Sequence, residues 1–271
     1  MPGTIGGISG LRALVVGASS GIGRGLAVEL AARGAVVAAA ARRVELLNEL
    51  PGIVALPCDV TRPGAADAMV EAAAERMGGL DALVYTVGLS RISPLHQAGL
   101  DDWVELFGPN VFGAAIVTRA TLAHLLADGS QGRALYLTSD SAERPYPGLV
   151  PYCSSKAALS AYALGLASEF STLRVTEVVV GPTAGTEVAN HFDPDAFGEW
   201  ASRWFDEGYV RYELLQVADV VQMIVDALAA DAPPAQVRAT GSAATSTIEE
   251  ARETAGPDQP VLGSARADGR L

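Results

Sequence analysis

Lysine is almost missing from this chain: the 19 basic residues are eighteen arginines and a single lysine, Lys156, set against 31 acidic residues for a net charge of -12. A balance that acidic works against nucleic acid and anionic membranes as partners, since both reward a basic face. Cysteine is also scarce. Cys58 and Cys153 make no disulfide framework, which points to a reducing compartment. His96, His124 and His191 show no ligand spacing, and no metal motif is present. The longest apolar run, "GAVVAAAA", is too short to cross a bilayer, and the first residues lack the basic-then-apolar pattern of a leader. The expectation is a cytoplasmic protein without nucleic-acid, membrane or metal partners.

What is present is apolar and patterned. Hydrophobic residues are 49% of the 271, enough for a substantial core. Short apolar runs at 11–17, 35–40, 52–60, 80–88, 133–139 and 173–182 read as buried strands, and the stretches between most of them carry helical periodicity. One long helix is expected over 100–129, another begins at the proline of "PYCSSK", and a last one covers roughly 216–230. Continuous apolar strands alternating with helices imply α/β architecture: a single doubly wound domain over 1–242, its predominantly parallel seven-stranded sheet covered on both faces. Residues 183–212 mix aromatics, acids and glycine in the manner of a lid over the sheet, and 243–271 read as a poorly ordered tail.

The first strand runs into "GASSGIG", Gly17 to Gly23. Glycines at a strand-to-helix turn let the backbone approach a pyrophosphate, and the helix start offers free amides and a positive dipole end. Further on, "YCSSK" places Tyr152 and Lys156 four residues apart, on one face of a helix. Lone lysine in an arginine-using chain invites a chemical reason, because ammonium is a compact charge with a movable pKa while guanidinium is a broad fork that stays charged. Chance survival of a surface lysine is the plain alternative.

Gly17-x-x-x-Gly21-x-Gly23 followed by Tyr152-x-x-x-Lys156 resembles the short-chain dehydrogenase/reductase family over about residues 8–240, with Val16 where relatives usually carry threonine. The resemblance implies a Rossmann-like fold and a nicotinamide cofactor on Gly17, Ser19, Ser20, Gly21, Ile22 and Gly23. The second strand ends in "AARR": Ala41 stands where NAD users place an acid, and Arg42 and Arg43 follow, ready to contact a 2′-phosphate. The expected cofactor is therefore NADP(H); two solvated arginines opening the next helix are the alternative. By resemblance Asp59 and Val60 contact adenine, Gly88 allows close backbone approach, and the loop after the sixth strand receives the nicotinamide through Pro182 and either Thr183 or Thr186. Tyr85 and Thr86 depart from the family pattern, as does the order Gly181-Pro182.

A free tyrosine has a pKa of about 10, and a neighbouring ammonium is expected to lower it toward the working range of a proton donor. The family roles then fall on four residues: Tyr152 as proton donor or acceptor, Lys156 beside it, Ser139 (with Ser141 as alternative) orienting the substrate oxygen, and Asn110 holding a water. Cys153 reads as packing, His96 and His191 as mouth residues, and Asp140 as a solvated acid or a selector of polar substrate. Trp200, Trp204 and Phe205 form an i, i+4, i+5 set that would line a lid and favour a fairly hydrophobic substrate. The implied activity is NADPH-dependent reduction of a ketone or aldehyde, or the reverse, in a homodimer or homotetramer. A nucleotide sensor without catalysis and an epimerase or dehydratase on the same scaffold are the rival readings.

Overall fold

Alternate residues of a strand point to opposite faces, so runs such as RALVV and VVAAAA supply two cores at once. The computed structural model describes residues 7–127, 131–210 and 214–239, with the backbone of 244–245. Seven parallel strands form the sheet: β1 Arg12–Val16, β2 Val36–Ala41, β3 Val54–Pro57, β4 Ala82–Tyr85, β5 Arg133–Leu137, β6 Arg174–Val180 and β7 Gln236–Ala239. Their order is β3-β2-β1-β4-β5-β6-β7, and Ala244–Thr245 adds an antiparallel edge on β7. That pairing lies beyond the boundary expected at 242; the rest of the expected tail is outside the described residues.

Eight α-helices are described: α1 Gly21–Ala32, α2 Val44–Leu47, α3 Ala65–Met77, α4 Leu100–Phe107, α5 Gly113–Leu125, α6 Val150–Glu169, α7 Pro194–Asp206 and α8 Val217–Ala229. One core joins Val15, Val37, Ala39 and Ala41 to Leu26 and Leu30 of α1 and Ile224 and Leu228 of α8. The opposite core joins Val16, Ala38 and Ala40 to α3, α5 and α6. Each fully buried leucine contributes about 2 kcal/mol, and the alanines of β2 leave room for helices on both sides.

One feature departs from the sequence expectation and two add to it. The long helix over 100–129 is interrupted at Gly108–Phe112 by a single π-helical turn, because Pro109 has no N–H to continue the ladder. The seventh strand is the four-residue β7, whose half-buried pattern is too short to signal itself. The excursion after β6 is pinned at its base, where Thr183–Ala184 pairs in parallel with Leu215–Gln216. Among the described residues, no helix is long and apolar enough to cross a membrane.

β1 pairs with β2 on one side and β4 on the other, so the strand order reverses at β1. In doubly wound sheets the crevice at that reversal, along the carboxyl ends of the strands, is where ligands bind. Gly17, Thr86–Gly88, Ser139 and Gly181 all follow strand ends on that edge.

Candidate active site

The turn after β1 has no room for a Cβ at Gly17 or Gly23. Gly17 has φ +97°, and a Cβ there would lie 2.7 Å from Thr86 Oγ1 and 2.8 Å from Val87 N. A Cβ on Gly23 would collide with the Gly17 carbonyl oxygen and the same threonine hydroxyl. Thr86 donates its hydroxyl to Val16 O at 2.8 Å, tying β4 to β1 where the glycine turn begins. The N-cap of α1, Ser20, leaves the first-turn amides without a side-chain cap, as an anion-binding helix start requires. Close backbone approach and an uncapped helix start both fit a pyrophosphate. Ile22 packs beside the core under this turn.

Around the cradle the two arginines part company. Arg42 is exposed, and its guanidinium has no ion-pair partner among the described residues. Arg43 reaches back over the turn, donating to Ser19 Oγ at 3.1 Å and pairing with Glu187 at 2.5 Å. Glu187, unmarked in the sequence, also accepts from Ser20 Oγ at 2.8 Å. Its carboxyl is held below the usual range, chiefly by the Arg43 hydrogen bond. Asp59 closes a local turn, accepting from Thr61 N at 3.0 Å and Thr61 Oγ1 at 2.7 Å, and that hydroxyl bond is the main cause of its lowered pKa. Val60 is buried against Gly113.

Tyr152 and Lys156 lie one turn apart on α6, the ammonium 6.0 Å from the centre of the tyrosine ring. Lys156 is only 4% exposed, and Nζ donates to Leu137 O, the end of β5, at 3.0 Å. Burial lowers its pKa to about 8. Gly88 is what lets it in: a Cβ there would lie 3.2 Å from Nζ. Asn110, fully buried in the π turn, accepts from Leu89 N at 2.8 Å and donates to Leu89 O at 2.9 Å and Ser155 Oγ at 2.8 Å. It thereby clamps the neighbours of Gly88 and of Lys156 to one another. Tyr85, the family departure, is also placed: its hydroxyl donates to Pro109 O at 2.6 Å, steadying the turn that carries Asn110. Gly113 answers it, since a Cβ there would lie 2.5 Å from the Tyr85 hydroxyl oxygen.

Ser139 ends this row as the N-cap of a short turn, its Oγ accepting from Ser141 N at 3.2 Å and lying 2.9 Å from Ser141 Oγ. It donates to Asp140 Oδ1 at 3.2 Å. The structure corrects the expected ammonium effect on Tyr152. Its pKa is raised, first by burial, with a Ser139 hydrogen bond pulling it down and Asp140 pushing it up. Lys156, its Nζ 6.0 Å from the ring centre, gives one of its three N–H donors to Leu137 O. Asp140 is no free surface acid: burial raises its pKa, and Tyr146 OH lies 3.2 Å from Oδ2. Sequence patterning held no sign of this Ser139–Asp140–Tyr146 chain, because its links are set by the turn after β5.

The excursion supplies the roof. Trp204 is buried, donates to Pro147 O at 2.8 Å and packs on Tyr146 at a ring separation of 5.9 Å. Trp200 lies against Gly148, and Phe192 joins the same apolar cluster. Phe205, the next residue along α7, is 37% exposed. Cys153 packs in this cluster, as its place on α6 implied. His96 is exposed beside Gln97, and His191 is exposed in the turn after Glu187. Of the two loop threonines, Thr183 sits in the short ladder, while Thr186 places its methyl 3.4 Å from where a Gly21 Cβ would be. Pro182 accepts from Leu215 N at 3.0 Å through its carbonyl.

A doubly wound sheet with a glycine turn at its reversal point and a Tyr–Lys pair beside it defines a class: nucleotide-binding α/β oxidoreductases. A family model described as short chain dehydrogenase matches residues 12–196, and the chain belongs to that family, oxidoreductases that bind nicotinamide cofactors. It is 33% identical over 214 residues to gluconate 5-dehydrogenase of Gluconobacter oxydans, covering 73% of this chain and 83% of that one. It is 34% identical over 203 residues to glycine betaine reductase ATRR of Emericella nidulans, covering 71% of this chain but only 16% of that longer protein. A solved short chain dehydrogenase from Burkholderia cenocepacia, in complex with NADP, aligns with a TM-score of 0.74 at 29% identity, covering 86% of this chain and 98% of that one.

Proposed function

We propose that the chain is an NADP(H)-dependent oxidoreductase that interconverts a ketone or aldehyde and an alcohol, with Tyr152 exchanging the proton. The observation carrying this reading is the row of Asn110, Ser139, Tyr152 and Lys156 beside the glycine turn. When bound there, the nicotinamide supplies or accepts the hydride. Tyr152, kept protonated by burial, gives its hydroxyl proton to the substrate oxygen during reduction. Ser139 orients that oxygen. Lys156 carries a proton at neutral pH and releases it near pH 8, which suits a relay behind the tyrosine. Asn110 holds the Lys156 pocket in shape through Leu89 and Ser155.

Gly17, Ser19, Gly21, Ile22 and Gly23 would hold the pyrophosphate, Ser20, Arg42 and Arg43 the 2′-phosphate, and Asp59 and Val60 the adenine. Gly88, Pro182, Thr183 and Thr186 would flank the nicotinamide; the place of Thr186 over Gly21 favours it over Thr183. The choice of NADP(H) over NAD(H) is supported by Ala41 in place of an acid, by the exposed Arg42, and by the NADP complex of the Burkholderia relative. The apolar roof of Trp200 and Trp204 supports a fairly hydrophobic small-molecule substrate. Exposed Leu100, Val104, Phe112 and Ile116, running from α4 through the π turn into α5, support a homo-oligomer. The net charge of -12 and the two free cysteines support a cytoplasmic setting without nucleic-acid or membrane partners.

The test is consumption of NADPH and NADH, side by side, over a mixed panel of aldehydes, ketones and diketones. The expected result is NADPH-selective turnover, lowered by about 10³-fold in Tyr152→Phe with nucleotide affinity retained. Preference for NADH would refute the arginine argument, and full activity in Tyr152→Phe would refute the assigned proton donor.

A further inference from the structure

The segment after β6 delivers a carboxylate to the glycine turn from far away in sequence. Glu187 Oε2 lies 2.5 Å from Arg43 Nη2 and accepts from Ser20 Oγ at 2.8 Å, while Oε1 accepts from Arg43 Nη1 at 3.1 Å. The same Nη2 donates to Ser19 Oγ at 3.1 Å. These donors are a guanidinium fork and two hydroxyls, the set a phosphate monoester recruits. Gly185, with φ +76°, turns the chain so that Thr186 rests over Gly21 and Glu187 over Ser20. One anion thus sits bidentate on Arg43 at the mouth of the cradle, and it belongs to the protein.

We infer that Glu187 sets cofactor selectivity: its carboxylate holds Ser20 and Arg43, the donors a 2′-phosphate would use, so a 2′-phosphorylated nucleotide has to displace it and one with a free 2′-hydroxyl does not. The inference rests on the proposed seating of the nucleotide over Ser20 and Arg43. A phosphate dianion and a carboxylate cannot share one guanidinium without repulsion, so the two anions compete directly. Arg42, exposed and without an ion-pair partner among the described residues, is the cation that first meets the incoming phosphate.

The experiment is isothermal titration of the full chain with NADPH, NADH, 2′,5′-ADP and 5′-AMP, for wild type, Glu187→Gln, Arg43→Gln and the double variant. Glu187 is half-exposed and lies at the surface, so the substitution is expected to leave the fold intact, which matching melting temperatures check. In Glu187→Gln, binding of NADPH and 2′,5′-ADP tightens by roughly 3- to 10-fold. NADH and 5′-AMP change by less than about twofold, and the gain vanishes in the Arg43→Gln background because the competitor has lost its partner. A selectivity ratio that stays constant or falls in Glu187→Gln overturns the inference, as does an equal gain for both kinds of nucleotide. Whether wild type itself prefers NADPH tests the proposed function separately. Failure of the chain to bind any of the four ligands overturns both.

Discussion

Replacing Lys156 with methionine removes a charge from the interior while keeping an unbranched side chain of similar length. The ammonium is 4% exposed, with no carboxylate partner among the described residues, and burial alone takes its pKa from the ordinary 10.5 to about 8. At about 1.4 kcal/mol for each pH unit, that displacement is a penalty of about 3 kcal/mol on the folded state. Loss of the bond to Leu137 O returns about 1 kcal/mol, leaving the variant about 2 kcal/mol more stable at pH 7. For a chain of this size that is about 4–8 °C in Tm. The penalty is present in full below pH about 8, where folded and unfolded chains both carry the proton. It fades as pH climbs from about 8 toward 10.5, where the unfolded chain still binds the proton and the folded one does not. Wild type therefore gains on the variant across that window. Thermal denaturation followed by circular dichroism from pH 6.5 to 10.5 reads the gap directly. A variant that melts at or below wild type at pH 7, or a gap that stays flat through pH 10, refutes the picture of an uncompensated buried ammonium. Turnover lost by the more stable protein would make Lys156 a case of stability given up for chemistry.

Asn110→Ala unpairs Leu89 N, Leu89 O and Ser155 Oγ together, and we expect a loss of about 3–4 kcal/mol. It should appear as a lower urea midpoint with an unchanged m-value; a loss under about 1 kcal/mol would mean that water replaces the amide freely. Gly23→Ala drives a methyl into the Gly17 carbonyl, a backbone group that cannot swing aside, and should destabilise by about 2–3 kcal/mol. It should also weaken nucleotide binding by at least about tenfold, since the cradle must widen; a titration matching wild type would contradict the close packing described at this turn.

The sequence by itself determined what depends on local spacing. Alternation of apolar runs with helical periodicity specified a doubly wound sheet, since strands buried on both faces must be apolar throughout. Glycines Gly17, Gly21 and Gly23 announced the turn: a Cβ at Gly17 or Gly23 would collide with its neighbours, and Gly17 and Gly21 take a positive φ that disfavours other residue types. Tyr152 and Lys156 announced themselves because a helix brings residues four apart onto one face. The proline in "GPN" carried the break in the long helix, yet the π turn it produces, and the burial of Asn110 within it, come from packing against Leu89 and Ser155. Only the tertiary structure decided which neighbours each site group meets. It buried Tyr152 so deeply that burial, a property of the whole fold, is the main influence on its pKa and raises it. It buried Trp204 while leaving its neighbour Phe205 37% exposed, and it carried Glu187 across 144 residues to Arg43. No pattern along the chain encodes such a meeting: the two segments are joined by the order of strands in the sheet, and their charges pair because that order leaves them on the same carboxyl edge.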